Sequence, residues 1–146
     1  MLKPWVTYST SACLVLCLLL CEPRQVWAAL PERELPIATI TLTVGKEVQD
    51  ELIVRLKEFA EASAFATRVV HYGNDKQHYL IDFWRGDVHI TVINPFRDIR
   101  EFSVFIYRTG QTAVPAAHLD ALVSNIHGVI NKVRGATIDG IKKTNE

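Results

Sequence analysis

Cysteine is missing from all but the first stretch of the chain: the three present are Cys13, Cys17 and Cys21. A domain built from the remainder has no disulfide and no thiolate for nucleophilic attack or metal binding. An excess of either charge is missing too, since Lys plus Arg is 16 and Asp plus Glu is 16. A neutral chain lacks the basic surplus that drives binding to phosphate backbones, so no nucleic-acid partner is expected. It has no bulk attraction to anionic lipid either. Seven glycines and six prolines in 146 residues exclude collagen-like and linker classes. No apolar run reaches the ~20 residues of a membrane span. There is no Asn-x-Ser/Thr acceptor, which fits a bacterial envelope better than a eukaryotic secretory route. Gly-rich phosphate loops, His-Glu-x-x-His and nucleophile-elbow motifs are all absent. No cofactor is therefore expected, and a binding protein is favoured over an enzyme.

What is present begins with an export address. Lys3 supplies a positive start, and Ala12 to Leu20 is an apolar run of nine, the length of a signal-peptide core. A polar stretch follows, then Val26-Trp27-Ala28-Ala29. Cleavage after Ala28 places Val26 three residues before the cut, whereas cleavage after Ala29 would place bulky Trp27 there. The expected organisation is a signal peptide over 1–28, a lead-in over 29–36, one α+β domain over 37–141 and a polar tail over 142–146. Export to the periplasm or the medium follows. Two alternatives remain open. Leu18-Leu19-Leu20-Cys21 resembles a lipobox with Cys21 lipidated, and the apolar run could stay uncleaved. Only these would bring the protein to a membrane.

Beyond residue 36 the pattern alternates between two periods. Ala38, Ile40, Leu42 and Val44 alternate with Thr39, Thr41 and Thr43, a β-branched strand of period two. After Gly45, Val48, Leu52, Leu56 and Phe59 recur every three or four residues, with Ile53 and Ala60 widening the stripe. This predicts a helix fading near Ala64. Strands are predicted at Thr67 to Tyr72, Gln77 to Trp84, Asp87 to Ile93 and Phe102 to Tyr107, with turns at Gly73 to Lys76 and Arg85-Gly86 and a break at Asn94-Pro95. Pro115 opens a second helix carrying Leu119, Val123, Ile126, Ile130 and Val133, with Gly135 as its stop. Ala136 to Ile138 is a candidate short last strand. The fold class is α+β: an antiparallel sheet of about five strands, order β-α-β-β-β-β-α, with two helices on one face.

A two-residue turn at Arg85-Gly86 sets Trp84 against Asp87, Phe83 against Val88, Asp82 against His89 and Ile81 against Ile90. The turn after Tyr72 sets Tyr72 against Gln77 and His71 against His78. One face is then core: Tyr79, Ile81, Phe83, Val88, Ile90 and Val92. The other carries His71, His78, Leu80, Asp82, Trp84, Asp87, His89 and Thr91. Phe102, Val104 and Ile106 on the core side place Ser103, Phe105 and Tyr107 on that second face. A mixed face of histidines, acids and aromatics suits an envelope protein partner, a small ligand or a second subunit as homodimer. Its candidate binding residues are Trp84, His89, Phe105 and Tyr107. Asp82 with His89 is a candidate acid–base pair for a small periplasmic enzyme. His71 with His78 is a candidate metal pair for a carrier, short of a three- or four-ligand site. Outside the face, Arg85-Gly86-Asp87 spells an adhesion tripeptide. His118 and His127 lie on the second helix, and Ser124 has no acid–base partner at readable spacing.

Phe65-Ala66, Phe83-Trp84-Arg85 to Ile90, Asn94-Pro95-Phe96, Phe102 to Tyr107 and Leu122-Val123 together resemble small uncharacterised exported proteins of Gram-negative bacteria. The resemblance covers most of the chain beyond the signal and implies compartment and fold. It implies no activity.

Overall fold

The computed structural model describes residues 35–73, 77–94, 98–110 and 113–144. The signal segment with its cysteines and cleavage site, Asn74 to Lys76, Pro95 and Phe96 lie outside the described residues. The elements run β1 (Ala38–Val44), a 3-10 turn (Lys46–Val48), α1 (Gln49–Ala62), β2 (Ala66–Tyr72), β3 (His78–Arg85), β4 (Val88–Ile93), β5 (Glu101–Arg108), α2 (Ala116–Ile130) and β6 (Ala136–Lys143). The fold is α+β, with one antiparallel sheet of six strands in the order β2-β3-β4-β5-β1-β6.

β1 alternates as its sequence dictates: Ala38, Ile40, Leu42 and Val44 are buried and the threonines between them are not. It lies between β5 and β6, so the first strand is interior to the sheet. The last strand is longer than expected. It runs through Lys143 against Ala38, so Lys142 and Lys143 belong to the sheet and not to a tail. The expected count of five strands becomes six. Ile138 pairs with Leu42, and the apolar residues of β6 that face the helices are too widely spaced to show a full strand in sequence.

The two helices cover one face. Leu52, Leu56 and Ala60 of α1 and Leu122, Ile126 and Ile130 of α2 join Ile40, Leu42, Ile81, Phe83, Ile90, Phe102, Val104 and Ile106 in one core. Burying each large side chain contributes about 1.5–3 kcal/mol. α1 starts one turn later than its stripe suggests, because the 3-10 turn occupies Lys46–Val48. α2 stops at Ile130, five residues before Gly135; the glycine, at φ +90°, turns the chain into β6. Val133 is buried all the same.

Two turns set the register of the meander, and both differ from expectation. The β3–β4 turn is Gly86-Asp87, with Arg85 opposite Val88, Trp84 opposite His89 and Asp82 opposite Thr91. Gly86 has φ +54°, as the first central residue of a II′ turn requires, and an arginine in that place would be strained. Asp87 therefore sits in the turn and leaves the strand face. The partner shift is two residues, so every other side chain keeps its predicted face. The β2–β3 connection differs by one residue: Tyr72 pairs with His78 and His71 with Tyr79. An odd shift turns β2 over. His71 moves to the helix side, and Arg68 comes to the open face opposite Asp82.

Asn94 replaces the ladder where β4 ends. Its side chain is fully buried, accepts the Tyr79 N–H at 2.6 Å through Oδ1, and donates through Nδ2 to the carbonyls of Gln77 (3.0 Å) and Ile99 (3.2 Å). Its own carbonyl accepts from the Tyr72 hydroxyl at 2.9 Å. Buried Gln49 donates to the same Ile99 carbonyl at 2.8 Å and ties α1 to that corner. Tyr79 donates its hydroxyl to Asp50; burial first, then that carboxylate, push its pKa up to about 12.

Candidate functional site

Alternation in β3, β4 and β5 projects Trp84, His89 and Tyr107 from one row of the open face, since each is the cross-strand partner of the next. Trp84 and His89 are stacked, with ring centroids 5.5 Å apart and planes 8° apart. His89 and Tyr107 lie 5.8 Å apart and Phe105 and Tyr107 6.2 Å apart. All four expected binding residues are thus brought together in one continuous group. Each of them is half-buried, with its ring against a neighbour's.

The adjacent row holds Arg68, Asp82, Thr91 and Phe105. Among the described residues three polar side chains are buried, and Asp82 is the charged one. Its carboxylate accepts from Arg68 Nη2 at 2.6 Å, from Thr91 Oγ1 at 3.0 Å, and pairs with His89 Nε2 at 3.0 Å. The Arg68 guanidinium also stands 5.4 Å from the Trp84 ring. Asp82 and His89 therefore meet along the diagonal, not as the direct pair expected from an Arg85-Gly86 turn. Burial pushes the Asp82 carboxyl up. The hydrogen bonds from Arg68, His89 and Thr91 outweigh it, and the carboxyl is held below the usual carboxylate range.

A carboxylate so held stays ionised, with His89 and Thr91 on Oδ1 and Arg68 on Oδ2. The carboxylate holds His89 and Arg68 in place beside the ring row. Arg68 was not legible as a site residue because its face depends on the length of the β2–β3 connection. An arginine across from an acid is, however, an opposite-charge cross-strand pair of the kind that stabilises sheets.

The depressed pKa has a direction in pH. The carboxylate contributes stability above its unfolded value near ~3.9 and loses it as pH falls through the lower folded value. Asp82→Asn is expected to be about 1–3 kcal/mol less stable than wild type near neutral pH. Between roughly pH 5 and pH 2 it should lose less than wild type does. Urea titrations across that range measure both; parallel pH profiles would show that Asp82 is not held this way.

The other candidates separate. His71 and His78 point to opposite faces: His71 packs against Tyr79 at 4.7 Å and His78 stacks on Tyr72 at 5.3 Å. They cannot share one ion. Among the described residues no group of three His, Cys, Asp or Glu could hold a metal. Arg85 of the adhesion-like tripeptide is turned inward. It donates to the Ser63 carbonyl at 2.7 Å, lies 4.6 Å over the Phe65 ring and approaches His118 Nε2 at 3.5 Å. A cavity of about 310 Å³ adjoins this cluster, lined in part by Val88, Val114, Pro115 and His118. His127 pairs along its own helix with Asn131 at 3.1 Å, and Ser124 is exposed.

Fold and face together define an α+β protein whose single antiparallel sheet is dry under two helices and polar–aromatic on the other side. Among the described residues no helix is long and apolar enough to cross a membrane. No protein-family model matches the chain, and no curated protein matches it in sequence.

Proposed function

We propose that this is an exported cell-envelope protein that works by binding, without catalysis, through the open face of its sheet. The observation that carries the proposal is the row of Trp84, His89 and Tyr107, flanked by Phe105 and underpinned by buried Asp82. Aromatic side chains at the centre of an interface supply a large share of binding energy. The export part of the proposal is supported by the signal-like pattern of residues 1–28. The resemblance to exported proteins of Gram-negative bacteria agrees with it.

The experiment is affinity isolation of the protein from its own envelope, followed by mass spectrometry of what accompanies it. Trp84→Ala and Tyr107→Ala are expected to melt close to wild type and to lose about tenfold or more of captured partner. The N-terminus read from the same material is expected to be Ala29; a lipid-bearing Cys21 would make the protein a lipoprotein. Full capture by both folded variants would show that the row is ordinary surface. Unfolding of both would show that the row belongs to the core.

A further inference from the structure

The sheet has two edges, and they are guarded differently. β6 carries a register shift where it passes Thr41 and Leu42, contains Gly140 and ends in Lys142 and Lys143. Bulges, glycine and lysine are the usual means of keeping an edge from pairing with another chain. β2 has none of them. Its seven residues, Ala66 to Tyr72, pair with β3 without interruption and hold three β-branched residues, no proline and no glycine. Its single formal charge, Arg68, is drawn back onto Asp82 and Trp84. Val70 is 38% exposed.

The direction of the backbone groups follows from one contact. Tyr79 donates its N–H to Asn94, toward the β4 side. In an antiparallel sheet the N–H and C=O of one residue point the same way, and the direction alternates along the strand. His71, the partner of Tyr79, therefore turns its N–H and C=O outward, as do Val69 and Thr67.

We propose that a second copy of this chain pairs with the outer edge of β2, antiparallel and about a two-fold axis at Val69. Val69 then meets Val69 of the other copy, and Thr67 meets His71 in both directions. All three outward residues exchange both backbone hydrogen bonds. On the open face the same axis sets Arg68 against Val70 and small Ala66 against large Tyr72. The two arginines never face each other. This self-complementarity favours a second copy over a foreign strand. The surface is distinct from the aromatic row and does not depend on what that row binds.

A single strand pair is a small interface, so dissociation is expected in the micromolar range. The test is sedimentation equilibrium of the purified protein from about 5 to about 300 µM. Wild type is expected to pass from monomer to dimer. Val69→Pro removes an outward N–H and leaves the β2–β3 ladder intact; it should weaken the dimer tenfold or more with the circular dichroism spectrum unchanged. Thr67 and His71 are exposed, so the double variants Thr67→Lys/His71→Lys and Thr67→Glu/His71→Glu should each be monomeric alone and form a one-to-one dimer when mixed. If Val69→Pro does not fold, the Lys and Glu variants decide. Wild type monomeric at the highest concentration, or dimers unaffected by the substitutions, would overturn the proposal.

Discussion

Asn94→Leu is expected to lose about 2–5 kcal/mol of stability, a large part of the ~5–15 kcal/mol that holds an ordinary domain. The side chain has no exposure and three hydrogen bonds. Leucine is close in size, so the loss is almost purely polar. The Tyr79 N–H is left buried with nothing to replace Asn94, while Ile99 keeps Gln49. Asn94→Asp makes the cause visible. The introduced carboxylate still accepts from Tyr79 but faces two carbonyls it can no longer donate to. Burial and those carbonyls raise its pKa, so this variant should be least stable near neutral pH and recover as pH falls through the raised value. Urea midpoints at neutral and acid pH read both variants. An unmoved midpoint for Asn94→Leu would mean that the corner does not depend on this side chain.

The second large effect lies in the core. Leu56 on α1 and Ile126 on α2 are each 1% exposed. Leu56→Ala and Ile126→Ala are each expected to cost about 2–5 kcal/mol, partly as lost transfer energy and partly as the cavity left behind. The described residues contain no cysteine, so no cross-link limits the unfolded chain. Either variant should lower the melting temperature markedly, and the spread between them reports how well each site collapses. A melting temperature unmoved by both would mean that the helices do not pack on the sheet through these stripes.

These effects differ in how visible they were beforehand. Leu56 and Ile126 stand in the middle of stripes of period three to four, and a stripe of that kind has one way to hide from water. Asn94 stood next to a proline and looked like the start of a loop. Nothing local marks it as the buried substitute for a strand's last ladder bond, because Gln77, Tyr79 and Ile99 come to it only when the sheet has formed.

The open face shows the same division residue by residue. Trp84, His89, Phe105 and Tyr107 could be placed on one surface from alternation alone. The β3–β4 turn lies one residue beyond Arg85-Gly86, which shifts cross-strand partners by two, and a strand side chain returns to its face every second residue. His71 and Arg68 were out of reach for the converse reason: one extra residue between β2 and β3 exchanged their faces. That undid the pairing of His71 with His78 and brought Arg68 onto Asp82.

Short-range sterics and hydrophobic period were therefore enough for the two helices and the first five strands, the dry face of the sheet, the α+β class and the aromatic row. Three things required the assembled sheet: the insertion of β1 between β5 and β6, the clamp of Arg68, His89 and Thr91 on Asp82, and the contrast between a guarded and an unguarded edge. Each joins residues far apart in the chain. Their contacts depend on loop length and strand order, and the same local pattern is compatible with more than one of each.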